Sequence, residues 1–138
     1  HQRWKEVLKS TTEAEEKDPV EQLKSLIQTG LEQCLRLNDE ILTIFCESRH
    51  LEPDSLHIVL STETEFVRSI EKLIIRGLES GQFKTNDTFL TANIIQYLLM
   101  IYPLRSWSFK DRYTFDQIVK IVTGFVFNAL GISADDNE

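Results

Sequence analysis

Glycine, proline and cysteine are all scarce in this sequence of 138 residues, which contains five, three and two of them. Together with long apolar patterns of helical period, so few turn-forming residues predict helices throughout. Cys34 and Cys46 are too few for a disulfide framework and lie within apolar patterns, which favours a reducing, cytoplasmic location. No secretory signal peptide is visible, and no apolar run approaches the roughly 18 residues that would indicate a membrane span. The sequence therefore predicts an all-α domain that has no membrane partner.

Clustered positive charge is also missing. The formal net charge is −7, the lysines and arginines are scattered, and the densest charged run, Glu13–Asp18, is acidic. A surface that binds duplex DNA needs clustered cations to displace counterions from the phosphates. This stretch of chain is therefore expected not to bind DNA by itself.

Capping signals and apolar periodicity divide the chain into helices. Asp18-Pro19 is typical of an N-cap followed by proline at the first helical position, and Asn38-Asp39 is expected to cap a short helix. Thr114–Gln117 has the spacing of a capping box, and Gly81 is expected to end a helix in the left-handed conformation. The predicted helices are Gln2–Lys9, Asp18–Leu37, Asn38–His50, Asp54–Ser80, Phe89–Leu104 and Thr114–Leu130.

The long helix predicted after Pro53 has an apolar face and a charged face. Its apolar face is expected to contain Ile58, Phe66, Ile70, Leu73, Ile74 and Leu78, with Glu63, Glu65, Arg68, Glu71 and Lys72 largely opposite.

Two predicted helices near the C-terminus have little or no polar face. They are Phe89–Leu104, which Pro103 is expected to end or kink, and Thr114–Leu130. A helix that is apolar nearly all round must be covered on more than one side. In so small a domain a second copy of the chain can supply that cover, which predicts a homodimer with a four-helix bundle at its centre; two core helices of a monomer are the alternative. The predicted interface residues are Ile94, Leu98, Ile101, Ile118, Ile121, Val122 and Phe125.

Two segments resemble the C-terminal domains of TetR-family transcriptional regulators. Ile75–Phe83, followed by Asn86-Asp87 and an apolar helix, is similar to the turn between the family's third- and second-last helices. Ser106-Trp107, then Tyr113–Gln117 and the ending Asn128–Ile132, is similar to the family's tail. The resemblance spans roughly Asp18 to Ile132 and depends on the order and spacing of these motifs together.

The resemblance implies the effector-binding and dimerisation domain of a bacterial transcriptional repressor, with about six helices over residues 18–138. The alternative is a helical metal-binding or purely structural interaction module without a role linked to DNA. For the repressor domain, residues 1–17 would be the end of a connecting helix and a polar linker. The family's N-terminal helix-turn-helix domain is absent from this chain, so operator DNA would be contacted only through that missing headpiece. A small molecule entering between the helices would change the headpiece separation and release the operator. The tail is similar to that of regulators of fatty-acid or acyl-CoA metabolism, which implies a mainly apolar effector of acyl type.

Two carboxylate–histidine pairs and two cysteines are the candidates for metal binding or nucleophilic chemistry in this sequence. Glu47 with His50 and Asp54 with His57 have the Glu-x-x-His type of spacing, but they are adjacent in sequence and further inward carboxylates are not apparent. The histidines and cysteines do not reproduce zinc spacing. Cys46 and His50 could pair on one helix but show no orienting partner. Solvated helix ends and buried apolar cysteines explain these residues more simply, so no enzyme activity, metal or cofactor is expected.

A binding pocket is the better hypothesis for the middle of the domain. Pockets are mostly apolar with a few placed polar groups, although each of these residues, taken alone, is more often plain core. If the effector has an anionic head, Arg49 is expected to meet it, because a guanidinium can hold a carboxylate or phosphate through two parallel bonds. The predicted ligand-binding residues are Phe45, Cys46, Arg49, Phe66, Tyr97, Tyr102 and Trp107.

Overall fold

A computed structural model describes residues 18–133 of the chain, and within that range it contains six α-helices and no strand, which confirms the all-α prediction. The predicted helix Gln2–Lys9 and the linker up to residue 17 lie outside the described residues. None of the helices between residues 18 and 133 is both long and apolar enough to cross a membrane. The helices are α1 (Pro19–Arg36), α2 (Asn38–Glu47), α3 (Pro53–Glu79), α4 (Thr88–Leu99), α5 (Ile101–Phe109) and α6 (Phe115–Ala129), with a 3-10 turn, Ser48–His50, between α2 and α3.

The capping signals of the sequence set most of the helix boundaries. The Asp18 side chain accepts a hydrogen bond from the Glu21 backbone amide at 3.3 Å, and Pro19 occupies the first helical position as predicted. Both bonds of the capping box at Thr114 and Gln117 are present. Gly81 has a φ of 79°, which confirms the left-handed residue expected after the long helix.

The predicted helix Phe89–Leu104 is wrong in one respect, because the structure divides it at Met100 into α4 and α5. The Met100 amide bonds to the Tyr97 carbonyl at 3.1 Å, and the Met100 carbonyl then accepts the Leu104 amide of the next helix. In a continuous helix the Pro103 ring would clash with the carbonyl of Leu99, four residues earlier. The break places Pro103 in the first turn of α5, where its missing N–H needs no partner.

Two further boundaries differ from the prediction. Helix α2 ends at Glu47 and the chain to His50 forms a 3-10 turn. Leu37, and not Asn38, is the N-cap of α2, and no side chain caps that end. A weakly capped helix of 10 residues depends on packing for its stability, and α2 buries only Ile41.

Helices α1, α3 and α4 pack together as the helix layer of the domain, and α3 runs antiparallel to the other two. Near one end of the layer Arg76 of α3 donates to Gln22 of α1, and Thr88 of α4 donates to Glu71 of α3 at 2.7 Å. A Cβ atom at Gly30 of α1 would lie 2.8 Å from Leu99, so α1 also packs closely on the end of α4. Helix α6 joins the same apolar core through the buried residues Ile118, Val122, Val126 and Phe127.

The turn after α3 has the tightest packing in this core. The ring of Phe83 is buried and stacks directly on Gly77, where any Cβ atom would overlap the ring. The Phe83 and Gln82 amides both bond to the Gly77 carbonyl at 2.9 Å. Gln82 also donates to Asp18 at 2.7 Å, which ties this turn to the start of α1. The segment Ile75–Phe83 thus owes its motif-like appearance to a packed helix end.

Candidate functional site

Two polar side chains from different helices meet between α3 and α4. They are Glu63 of α3 and Gln96 of α4, and we call them the acceptor cluster. Gln96 is only 3% exposed, and its Nε2 donates to both carboxylate oxygens of Glu63, at 3.3 and 3.2 Å. The charge of Glu63 also affects the pKa of the buried Cys34 thiol of α1. Residues of α1, α3 and α4 are therefore close to this carboxylate.

Burial shifts the pKa values of the ionisable side chains in and beside the acceptor cluster. Loss of solvation raises the pKa of Glu63 above its ordinary value, and the hydrogen bond from Gln96 opposes that rise. Burial, together with the nearby Glu63 charge, raises the pKa of Cys34 to about 12. The Cys34 thiol therefore stays protonated at neutral pH and cannot act as a nucleophile or metal ligand in its resting state.

The cluster has spare capacity for a hydrogen-bond donor. The side-chain oxygen of Gln96 is buried and has no hydrogen-bond partner among residues 18–133. Most buried polar atoms in folded proteins are paired, so an unpaired one marks a functional group or a place that a ligand completes. Chemically, this arrangement can accept hydrogen bonds and can balance a positive charge.

The prediction that Glu63 lies on the charged face of α3 is wrong. This residue lies three residues before Phe66 and seven before Ile70, on the stripe that α3 turns towards the core. That spacing was the available signal. Gln96 offered a similar signal, because it stands alone among apolar residues in the middle of α4.

The seven predicted ligand-binding residues are not brought together. Phe66 is buried in the main core, whereas Phe45, Cys46 and Arg49 are exposed on α2 and the 3-10 turn that follows it. Tyr97 and Trp107 are exposed as well, and Tyr102 is half-buried with its ring 6.1 Å from that of Phe109 in an edge-on arrangement. Arg105 stacks over the exposed ring of Trp107 at 4.7 Å.

The two carboxylate–histidine pairs lie at helix ends with exposed side chains. Glu47 and His50 flank the 3-10 turn, and Asp54 and His57 lie in the first turns of α3. Residues 18–133 contain no group of three or more His, Cys, Asp or Glu side chains placed to hold a metal ion.

An exposed apolar surface follows α4 and α6, and we call it the α4–α6 stripe. It comprises Phe89, Leu90, Ile94, Tyr97, Ile121 and Phe125, each more than half exposed. Two open grooves border it: one of about 400 Å³ contacts Ile94 and Ala129, and one of about 850 Å³ contacts Lys24, Ile121 and Phe125. The first of these grooves is lined by residues of both α4 and α6.

The seven predicted interface residues fall into two groups. Ile94, Ile121 and Phe125 belong to the α4–α6 stripe. Ile118 and Val122 are buried in the protomer's own core, and Leu98 and Ile101 are partly buried against it.

A family model described as a tetracyclin repressor-like C-terminal domain matches residues 16–129. The matched range contains all six helices, including both the acceptor cluster and the α4–α6 stripe. No curated protein and no solved structure matches the chain.

Proposed function

Since the chain belongs to the family of tetracyclin repressor-like C-terminal domains, we propose that it is the effector-binding and dimerisation domain of a bacterial transcriptional repressor. The match confirms the resemblance seen in the sequence and supports the interpretation of the chain as part of a regulator. In this proposal the repressor works in the cytoplasm, and a helix-turn-helix headpiece outside these 138 residues contacts the operator. The net charge of −7 agrees with such a division of labour.

The α4–α6 stripe is the observation that carries the proposal. Phe125 is 66% exposed, Tyr97 63% and Ile121 56%, and contiguous apolar surface of this kind on a soluble protein indicates an interaction site. A two-fold axis through the stripe would pair α4 and α6 with the same helices of a second copy, which gives a four-helix bundle. The second copy is the proposed occupant because members of this family dimerise in general.

The switch in this proposal is a change in the geometry of that dimer. An effector bound in the interior of the helix layer shifts the balance between two dimer shapes only if it binds one of them more tightly. Operator half-sites lie about one helical turn apart, so a small change in headpiece separation weakens DNA binding. The acceptor cluster supports an interior binding site, because it joins α3 and α4 and lies close to Cys34 of α1.

The dimer part of the proposal is tested by the variant Phe125→Glu in sedimentation equilibrium. The unmodified chain is expected to be a dimer at micromolar concentration. The variant is expected to be a monomer, because symmetry buries two unpaired carboxylates in one interface at a cost of several kcal/mol. Phe125 is preferred to Ile118 or Val122, since these two are buried in the protomer itself and charged variants of them would unfold it.

Leu60→Glu is the matched control for that experiment. Leu60 is 56% exposed but lies on α3, away from the α4–α6 stripe, so its variant should remain a dimer. A monomeric unmodified chain, or a Phe125→Glu protein that still dimerises, would contradict the proposed interface.

A further inference from the structure

The acceptor cluster has one unused hydrogen-bonding atom, and this bears on what the effector must bring. Gln96 uses its side-chain donor group on Glu63, and its carbonyl oxygen has no partner among residues 18–133, with the residue only 3% exposed. A ligand that supplies only acceptors would leave this oxygen unsatisfied at a penalty.

The negative charge of Glu63 is also not balanced by a cationic side chain among residues 18–133. Within this range the only hydrogen-bond partner of Glu63 is the neutral Gln96, and no Lys, Arg or His side chain there forms an ion pair with it. Cys34, whose pKa is raised in part by the charge of Glu63, remains a neutral thiol. A partly buried carboxylate without a cation is costly, and a positive charge delivered by a ligand would remove that cost.

From this geometry we infer that the effector presents a protonated nitrogen, an ammonium or amidinium group on an apolar body, to Glu63 and Gln96. The nitrogen donates one hydrogen bond to the Glu63 carboxylate and another to the Gln96 carbonyl oxygen, which completes both side chains. The apolar body packs among the side chains of the two core clusters that meet at this level, which include Leu99 and Met100. The inference rests on the proposed sensor role and specifies the chemical class of the effector.

This headgroup differs from the acyl type that the family resemblance implied. An anionic head placed at the acceptor cluster would add a second negative charge beside Glu63 and would bring no donor. Arg49, the residue expected to meet such a head, is exposed on the 3-10 turn and is not part of the cluster. The two headgroup classes therefore predict different ligands and different variants that impair binding.

The test is isothermal titration calorimetry of the full chain at pH 7. The ligands within each set share one apolar body and differ only in their headgroup. One set is n-octylamine, n-octanoate and n-octanol, and the other is the amine, carboxylate and alcohol of a naphthylmethyl body. Medium-chain fatty acids and acyl-CoA thioesters complete the panel. Each amine is expected to bind with a dissociation constant about tenfold or more below that of its matched acid and alcohol, the effect of one charge-assisted hydrogen bond.

Glu63→Gln is expected to remove that tenfold advantage, while the affinity for the matched alcohol stays the same. Glu65→Gln is the control, because Glu65 lies two residues away on α3 with an exposed side chain, and it should change nothing. Gln96→Leu should also weaken amine binding, and it provides a second variant if Glu63→Gln fails to fold by circular dichroism.

The outcomes separate this inference from the function on which it rests. If acids or alcohols bind as tightly as the amines, or if the amine advantage survives in Glu63→Gln, the headgroup assignment is wrong and the sensor role stands. If no member of the panel binds, both the headgroup assignment and the proposed sensor role fail.

Discussion

The two halves of the long helix α3 have very different surroundings. Every fully buried residue of α3 lies between Phe66 and Gly77, in what we call the closed half. The open half, from Pro53 to Glu65, has no fully buried residue, and its Ile58 and Leu60 are about half exposed. The neighbouring α2 resembles this open half, since it buries only Ile41 and leaves Phe45 47% exposed.

This contrast shows which part of the domain contributes most to its stability and where a conformational change costs the least free energy. Burial of apolar side chains is the main favourable term in folding, and it is concentrated in the closed half. Elements with few buried contacts open at lower free energy than the core. Glu63 lies at the boundary between the two halves, so a ligand bound there can affect the open half without disrupting the core.

The largest effect is expected from truncating one aromatic residue in the core that contains the closed half and one on α2. Phe127→Ala on α6 removes a completely buried ring from that core and should lower the free energy of unfolding by about 3–5 kcal/mol. Phe45→Ala, on α2, should lower it by no more than about 0.5 kcal/mol. Urea denaturation of both variants at one protein concentration measures the difference. Equal losses would show that α2 contributes as much to stability as this core.

A smaller effect is expected where the closed half is packed most tightly. Gly77→Ala places a methyl group into the ring of Phe83 and should cost about 1–3 kcal/mol, the usual penalty for overpacking a core. Phe83→Ala in the same chain removes the overlapping atoms, so the double variant should lose less than the sum of the two single variants. Thermal unfolding of the four proteins gives this coupling, and simple additivity would contradict the close contact.

The smallest effect on the free energy of unfolding is expected for Glu63, at the boundary between the two halves, and it depends on pH. The pKa of Glu63 is raised in the folded chain, so folding favours the protonated form and the charged form is destabilising once the pH exceeds that pKa. Glu63→Gln should therefore raise the free energy of unfolding at pH 7 by about 1 kcal/mol, the lower end of the cost of an unsatisfied buried group. That gain should disappear as the pH falls through the folded pKa and below the ordinary value of 4.5.

Urea titrations of Glu63→Gln between pH 4 and pH 8 check this prediction, and Glu65→Gln controls for the general loss of a negative charge. Cys34 does not titrate in this window, because its pKa is about 12. A gain that is equal at all pH values would show that Glu63 is not desolvated in the folded chain.

Local features of the sequence determined the helices and most of their ends. The Asp18 cap with Pro19, the capping box at Thr114 and the left-handed Gly81 all depend on atoms within a few residues of one another. Such interactions are the same wherever the segment lies in the fold, and for that reason they could be predicted. The order and spacing of these segments were also enough to identify the family.

The tertiary structure alone decided which apolar and polar faces meet. The division of α4 from α5 at Met100 depends on a clash that Pro103 would make one turn earlier, and the chain could have kinked instead. Ile118 and Ile121 look equivalent in the sequence, yet one is buried in the core and the other lies in the α4–α6 stripe. Glu63 and Gln96 are far apart along the chain, and they meet only because the antiparallel packing of α3 and α4 places them at the same level. Periodicity assigns a residue to a face of its own helix, whereas long-range packing determines what that face contacts.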